Sequence, residues 1–248
     1  MEIRKRFIRS GHHEVRRQEF RSDQTDFLED IGSRVLNIIG YPCTRNNTSR
    51  ITATDFLCHD GRYIDFQFSQ NFSRYGEIRI DMISAFIFHD HLFSDKETQR
   101  RLARSAIIAE YRRTRSMNAA IRSVGTVKKS GKFFHRCPDR PYKVFFFIYD
   151  QKFSMSRPVP DRMALVDVEK TTRFLQDRSA KGTLISPDGS NFHLNCKEKM
   201  SEIYGSAFIC LDYNDMIASG VAEEIPLTDD VLAIFEDDGK MKDNTMAA

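Results

Sequence analysis

The sequence has no long apolar run, no tryptophan and no regular cysteine framework. No stretch of the 248 residues approaches the roughly 18 consecutive apolar residues that a membrane-spanning helix needs. The first residues are polar and basic, without the apolar segment of a secretory signal. The cysteines are odd in number and scattered, at positions 43, 58, 137, 196 and 210. This pattern predicts an intracellular, cytoplasmic protein in a reducing compartment, with no membrane partner.

Charge is unevenly distributed along the chain although the net charge is only +3. Residues 1–21 hold seven Lys/Arg against three Glu, residues 96–140 hold thirteen Lys/Arg against three acids, and the last residues are acidic. Such segregation predicts a polyanion-binding surface, and the alternative is that these stretches are solvated faces. We expect a basic arm at 1–22, an α/β domain at 23–220 with a basic insertion at about 95–141, and an acidic tail at 221–248.

The apolar periodicity predicts alternating helices and strands. The first helix is capped by Ser22 or Asp23 and ends at Gly40. A polar loop at 45–50 leads into a hairpin over about 51–68. A strand at 78–88 follows, in which alternation places Ile83 on the polar face with Arg79 and Asp81. The helix at 95–115 carries an apolar stripe of Leu102, Ile107, Ile108 and Tyr111, and residues 119–141 form a basic loop or hairpin. Then come a buried strand at 142–149, a strand at 163–168, a helix at 169–176, strands at 192–196 and 207–211, and a short helix after Pro226. This order predicts an α/β fold with a mixed central sheet flanked by helices.

The hairpin carries the candidate chemistry. On its second strand Ile64 and Phe66 share one face, and Asp65 and Gln67 share the other, because side chains alternate along a strand. An acid and an amide are costly to bury without partners. A hard metal ion is a suitable partner if another acid faces them, and Asp55 is the candidate.

The length of the hairpin loop decides whether Asp55 can take that role. A two-residue loop would pair Asp55 with Phe66 and place its side chain on the wrong face. A three-residue loop, His59-Asp60-Gly61 with Gly61 in the left-handed conformation, pairs Asp55 with Asp65. We therefore expect the three-residue loop or an equivalent bulge, with both carboxylates on one face of the sheet.

These motifs together resemble a known family. An acid on a helix that ends in Gly40-Tyr41 is followed by Asp55-Phe-Leu, a glycine turn and an acid-x-polar strand. This order resembles the PD-(D/E)xK nucleases, the restriction-endonuclease-like superfamily that includes Holliday-junction resolvases and many phage enzymes. Residues 75–81 and 163–169 are similar to later units of the same proteins, so the resemblance covers about residues 26–175.

The resemblance implies a restriction-endonuclease-like core with additions, which hydrolyses phosphodiester bonds of DNA with Mg²⁺ or Mn²⁺. It implies a phage or mobile-element origin and leaves a homodimer open. Glu29 matches the helix acid, Asp55 and Asp65 match the motif acids, and these three would be catalytic and would bind the metal. Gln67 stands where the family usually has lysine, and it would orient water without supplying charge.

Basic residues around this motif would bind the phosphate backbone, in either DNA or RNA. Those expected to do so are Arg50, Arg74, Arg100, Arg101, Arg104, Arg112, Arg113, Lys128 and Lys129. The site could also borrow a cation from Arg50, Arg74 or Arg79 to replace the missing lysine.

Each residue also has a structural interpretation. Glu29 could serve the dipole of its helix, and Asp55 could simply terminate a strand. Glu77 and Asp81 are expected to pair with Arg74 and Arg79. Zinc binding by Cys43, Cys58 and His59, or metal binding by the cluster His89-Asp90-His91, is disfavoured by spacing.

Because glutamine stands at the lysine position, we also consider a second function. In that case the protein has a nuclease-like fold that binds nucleic acid or a protein partner without cutting. A third hypothesis is a structural or regulatory protein with an acidic tail.

Overall fold

Two β-sheets form the framework of the protein. The structure is a computed structural model that describes residues 12–46, 54–89, 96–134, 140–199 and 202–236. The first sheet has six strands in the order β1-β2-β3-β6-β7-β10, formed by Cys43–Arg45, Phe56–Cys58, Tyr63–Ser69, Lys143–Ile148, Arg162–Asp167 and Ala222–Ile225. Its β3–β6 pair is parallel and its other pairs are antiparallel, so the predicted mixed sheet of an α/β fold is confirmed.

The second sheet is entirely antiparallel, in the order β5-β4-β9-β8. Its strands are Gly125–Ser130, Glu77–Phe88, Glu202–Asp212 and Phe192–Lys199. Sequence analysis predicted β4 and shorter versions of β8 and β9, but it assigned residues 119–141 to a loop or hairpin and did not foresee a separate sheet.

The described residues form seven α-helices. These are α1 His12–Ile38, α2 Phe72–Tyr75, α3 Lys96–Thr114, α4 Met117–Arg122, α5 Val168–Lys181, α6 Tyr213–Ala218 and α7 at 229–236. Helix α1 begins at His12, ahead of the predicted cap at Ser22 or Asp23, so part of the basic arm is helical. The chain leaves it at Gly40, whose φ of 89° is in the left-handed region.

The first core lies between α1, α7 and one face of the six-stranded sheet. Phenylalanine rings from neighbouring strands pack edge to face, with the centroids of Phe66 and Phe147 4.9 Å apart. Helix α1 approaches these rings closely at Gly32, where a Cβ atom would lie 3.2 Å from both Phe56 and Phe66. The position of α1 over this face therefore depends on a small residue at its centre.

The acidic segment after residue 220 takes part in this core. Strand β10 pairs with β7 at the edge of the six-stranded sheet, and Ile225, Val231 and Phe235 are buried. The boundary predicted at 221 therefore does not separate a tail from the domain: residues 222–236 alternate acidic side chains with apolar ones that the core buries. The short helix predicted after Pro226 is confirmed as α7.

The second core joins the other face of the six-stranded sheet to the four-stranded sheet and to α3–α6. Strand β6 is buried on both faces, as its continuous apolar run predicts. Strand β4 contains register shifts, so Ile83 is buried although strict alternation placed it on the polar face. On α3 three members of the predicted apolar stripe, Ile107, Ile108 and Tyr111, are buried, whereas Leu102 is 40% exposed and Ala103 is buried.

Candidate carboxylate site

The β2–β3 hairpin has the predicted three-residue loop. Phe56 pairs with Ile64, the amide of Cys58 donates to the Arg62 carbonyl at 2.8 Å, and Gly61 has a φ of 81°. One position beyond the last ladder pair, this register places Asp55 opposite Asp65. The turn chemistry of His59-Asp60-Gly61 thus sets the relation between the two acids.

Asp55 is held in place by main-chain contacts at the open end of β2. Its Oδ2 accepts a hydrogen bond from the Phe66 amide at 2.7 Å. The amide of Asn46 donates to the Asp55 carbonyl at 2.7 Å, and the Asn46 side chain donates to the Thr54 carbonyl at 3.0 Å. The carboxylate of Asp55 therefore takes the position of a ladder acceptor, which explains why β2 can end here without orphaning the Phe66 amide.

Asp65 and Gln67 lie on the sheet face opposite to Phe66. The parallel register pairs Asp65 with Val144 and Gln67 with Phe146, both of which belong to the second core. Asp65 is only 1% exposed, and Gln67 Nε2 donates a long hydrogen bond of 3.4 Å to Asp65 Oδ2. A carboxylate so deeply buried requires polar partners, and the amide is one of them.

Glu29 lies on α1, which covers the other face of the same sheet. Arg45, the last residue of β1, donates from Nε at 3.1 Å and from Nη2 at 2.7 Å to Glu29 Oε2, and it also pairs with Asp26. Burial and the charge of Asp55 raise the pKa of Glu29, against the opposing effect of Arg45. Glu29 and Asp55 are therefore close enough to repel each other.

The predicted residues thus surround one end of the hairpin without sharing one face of the sheet. The Asp55 carboxylate lies in the plane of the ladder. Asp55 is opposite Asp65 in the strand register, and its charge repels that of Glu29. We call Glu29, Asp55, Asp65 and Gln67 the carboxylate site. Within the described ranges, no three His, Cys, Asp or Glu side chains come together as a group that could hold a metal ion.

Arg45 is the site residue that sequence reasoning missed. It fell in a stretch interpreted as a polar loop, and β1 is only three residues long, so no periodicity identified it as a strand. The pairing of Arg45 with Phe56 in the β1–β2 ladder directs its side chain toward α1. Only the three-stranded arrangement of β1, β2 and β3 brings it to Glu29.

The cations proposed to replace the missing lysine are located elsewhere. Arg79 donates to Asp81 at 2.8 Å and lies over the ring of Phe208, which confirms the structural interpretation of Asp81. Arg74 is exposed and lies over the Tyr75 ring. Arg50 lies outside the described residues.

Glu77 does not form the ion pair with Arg74 that was expected of it. Burial raises the pKa of Glu77, and its side-chain hydrogen bond is with Cys210. The expected partnership with Arg74 is therefore corrected to one with the partly buried thiol of Cys210.

Helix α3 carries five of the predicted phosphate-binding arginines and packs beside β8 rather than beside the hairpin. Arg104 donates to the carbonyls of Phe192 and Gly189, and Arg112 donates to that of Pro187, so both anchor the segment before β8. Arg100 and Arg113 form exposed pairs with acids one turn away on the helix. Arg101 is fully on the exposed side. Only part of this set is available to a phosphate backbone.

The described residues around Cys43 and Cys58 do not form a zinc-binding site. Cys43 and Cys58 face each other across β1 and β2 as buried free thiols. Burial raises the pKa of Cys43 to about 12, so this thiol is protonated at neutral pH. Of the His89-Asp90-His91 cluster, Asp90 and His91 lie outside the described residues.

Comparison with known proteins adds no relative. A scan against protein-family models, a search of curated proteins and a search of solved structures each find no match. In the described part of the chain, no helix combines the length and the apolar character needed to cross a membrane.

Proposed function

We propose that the protein is a metal-dependent nuclease that hydrolyses phosphodiester bonds of DNA at the carboxylate site. The observation that supports this most directly is the hairpin register, which sets Asp55 opposite Asp65 while Asp55 also raises the pKa of Glu29. The PD-(D/E)xK resemblance implies three acids on a helix and two adjacent strands, and this chain carries acids on those elements, but Glu29 and Asp65 lie on opposite sides of the ladder.

The donor chemistry of the site fits Mg²⁺ or Mn²⁺, which prefer carboxylate and carbonyl oxygens. Glu29 and Asp55 repel each other, and a cation between them would relieve that repulsion. In the described residues these three acids do not converge as a metal-binding group, so Glu29, Asp55 and Asp65 would have to draw together to hold the ion. When bound, it would neutralise an anionic phosphodiester and lower the pKa of a water molecule.

The residues of the chain would contribute orientation and electrostatics. Asp55 is fixed by the Phe66 amide and by Asn46, so its free oxygen would face an ion with little loss of side-chain entropy. Gln67 already contacts Asp65, and its amide would orient water by hydrogen bonds without acting as a base. Exposed Arg100, Arg101 and Arg113 would attract the phosphate backbone.

A second function is favoured by the placement of Arg45. Its guanidinium already neutralises Glu29 and Asp26, so the helix acid is satisfied without a metal. Together with glutamine at the lysine position, this supports a nuclease-like fold that binds nucleic acid without cutting it.

A cleavage assay separates the two functions. Supercoiled plasmid, branched DNA and single-stranded oligonucleotides are incubated with Mg²⁺ or Mn²⁺ and the purified protein. The nuclease proposal expects metal-dependent cutting that Asp65→Asn abolishes while DNA binding is retained. Asp60→Asn, which changes an exposed acid at the hairpin tip, is the matched control and should cut normally.

Gln67→Lys distinguishes an inactive site from one rebuilt around glutamine. In an active protein this variant should cut at a similar or slightly lower rate. In an inert parent that lost activity through this one change, lysine should restore cutting, because it supplies positive charge beside the developing phosphorane. If wild type and Gln67→Lys are both inert with several metals and substrates but still bind DNA, the binding function replaces the nuclease.

A further inference from the structure

A cleft of about 870 Å³ lies between β5, α4 and α5, apart from the carboxylate site. This volume is in the range of about 300–1,000 Å³ that is typical of small-molecule sites. Four cationic residues line it, Arg115, Lys128, Lys129 and Arg140, and no described residue of its lining is acidic. We call this feature the basic cleft. No residue of the carboxylate site lines it.

A β-bulge directs two consecutive lysines into the basic cleft. Strand β5 pairs Lys129 with Ala85 and Val127 with Phe86, so Lys128 is an extra residue without a partner in β4. Consecutive side chains of a regular strand point to opposite faces, and a bulge changes this direction locally. Both Lys128 and Lys129 line the cleft as a result.

Arg115 reaches the cleft from a conformation that non-glycine residues rarely adopt. It follows the end of α3 with a φ of 54°, at a position where glycine or asparagine is usual. Its carbonyl accepts a hydrogen bond of 2.7 Å from Ser179 Oγ, which joins the two walls of the cleft. Its guanidinium lies against Gly182, so the charge of Arg115 is directed at the C-terminal end of α5.

Arg140 lies in the wall of the basic cleft and connects it to α5. Its Nη2 donates to the Phe133 carbonyl at 2.7 Å and to Thr172 Oγ1 at 3.2 Å. Its Nε–H is buried and has no acceptor among the described residues. The charge of Arg140 in the wall of the cleft adds to the positive potential that an anion would meet.

The rest of the lining has a different chemistry. Met82, Met117 and Phe134 supply apolar surface, and the amides of Asn118 and Gln176 can each donate and accept hydrogen bonds. Cations suit a phosphate, whereas apolar surface with nearby amides suits a planar base. The ligand class that uses both parts is a phosphorylated nucleoside.

We propose that the basic cleft binds a phosphorylated nucleoside, either as a free nucleotide or as the end of a nucleic-acid strand. Lys128 and Lys129 would bind the phosphates, and the apolar surface with Asn118 and Gln176 would hold the base. This site lies outside the proposed hydrolytic residues and does not depend on their activity.

Fluorescence anisotropy in EDTA tests the site without any cleavage. The probes are a methylanthraniloyl derivative of ATP and a fluorescent single-stranded DNA of about ten nucleotides with a 5′-phosphate. Wild-type protein should bind at least one probe, and the preferred probe identifies the source of the ligand. The double variant Lys128→Gln/Lys129→Gln should bind about tenfold more weakly or worse, because two phosphate contacts are lost.

Matched variants separate the cleft from general charge. Lys152→Gln/Lys170→Gln removes the same charge from exposed positions elsewhere and should bind like wild type. Asp55→Asn, which tests the carboxylate site, should also bind normally, so a failed nuclease does not imply a failed cleft. Equal weakening by both lysine pairs, or no binding of either probe by wild type, would overturn the proposal. Tripolyphosphate that competes as well as ATP would overturn the nucleoside assignment.

Discussion

Asp55 is expected to hold the hairpin together whether or not the protein binds a metal. Its Oδ2 accepts the Phe66 amide at 2.7 Å, and a hydrogen bond to a charged group contributes about 1.5–3 kcal/mol. Asp55→Ala should therefore destabilise the fold by about that amount. For a chain of this size, each kcal/mol lowers Tm by about 2–4 °C, so we expect a decrease of about 3–12 °C.

Asp55→Asn separates structure from metal binding. The carbonyl oxygen of asparagine can still accept the Phe66 amide, so most of the stability should remain. A bound ion that requires the Asp55 charge would stabilise wild type in Mg²⁺ by about 2.7 kcal/mol at a hundredfold excess over Kd, and Tm would rise accordingly. Asp55→Asn should lose this increase while it melts close to wild type in EDTA.

Thermal melts followed by circular dichroism, in EDTA and in Mg²⁺, measure both effects. Asp60→Ala is the matched control, because Asp60 also accepts a main-chain amide in the same hairpin, from Arg62 at 3.0 Å, but its side chain is exposed. It should change Tm little. If Asp55→Ala melts like Asp60→Ala in EDTA, the structural role assigned to Asp55 is refuted. If Mg²⁺ shifts wild type and Asp55→Asn equally, the ion binds elsewhere.

Further variants test other parts of the fold. Because the pKa of Glu29 is raised, the folded state binds this proton more tightly, so stability falls as pH rises above the ordinary carboxyl pKa of 4.5. The difference between the Tm of Glu29→Gln and that of wild type should therefore increase from pH 4 to pH 8. A difference in Tm that does not change with pH would contradict this. Truncation after residue 220 removes β10 and α7 and should abolish cooperative unfolding in urea, whereas truncation after 236 keeps both elements. Gly205→Ala would place a Cβ 2.1 Å from Phe86 Cζ and should cost about 1–3 kcal/mol in urea melts, with partial recovery by Phe86→Leu.

The sequence by itself determined the features that local chemistry controls. A His-Asp-Gly loop between two short apolar runs sufficed to predict the register of β2 and β3, because a three-residue turn with a left-handed glycine allows one pairing. The central position of β6 followed from its unbroken apolar run, since a strand buried on both faces has no polar side. The alternation of Asp65 and Gln67 with Phe66 also followed from the period of a strand.

Tertiary structure alone decided how distant segments meet. The acidic strand β10 resembles a solvated tail in sequence because its central residues, Glu223 and Glu224, are exposed at the edge of the sheet. Only pairing with β7, across the intervening α5, β8 and β9, makes it part of the fold. The second sheet was missed for a related reason, as bulges in β4 and β5 disturb the alternation that identifies strands.

The same division applies to the carboxylate site. The sequence identified Glu29, Asp55, Asp65 and Gln67 as a set. Whether these side chains lie on the same side of the sheet depends on where α1 packs. Helix α1 covers the Phe66 face, so Glu29 and Asp65 lie on opposite sides of the ladder and Arg45 reaches Glu29 from β1. Side-chain alternation within a strand is fixed by local backbone geometry, whereas the face a helix covers depends on burial summed over the whole core.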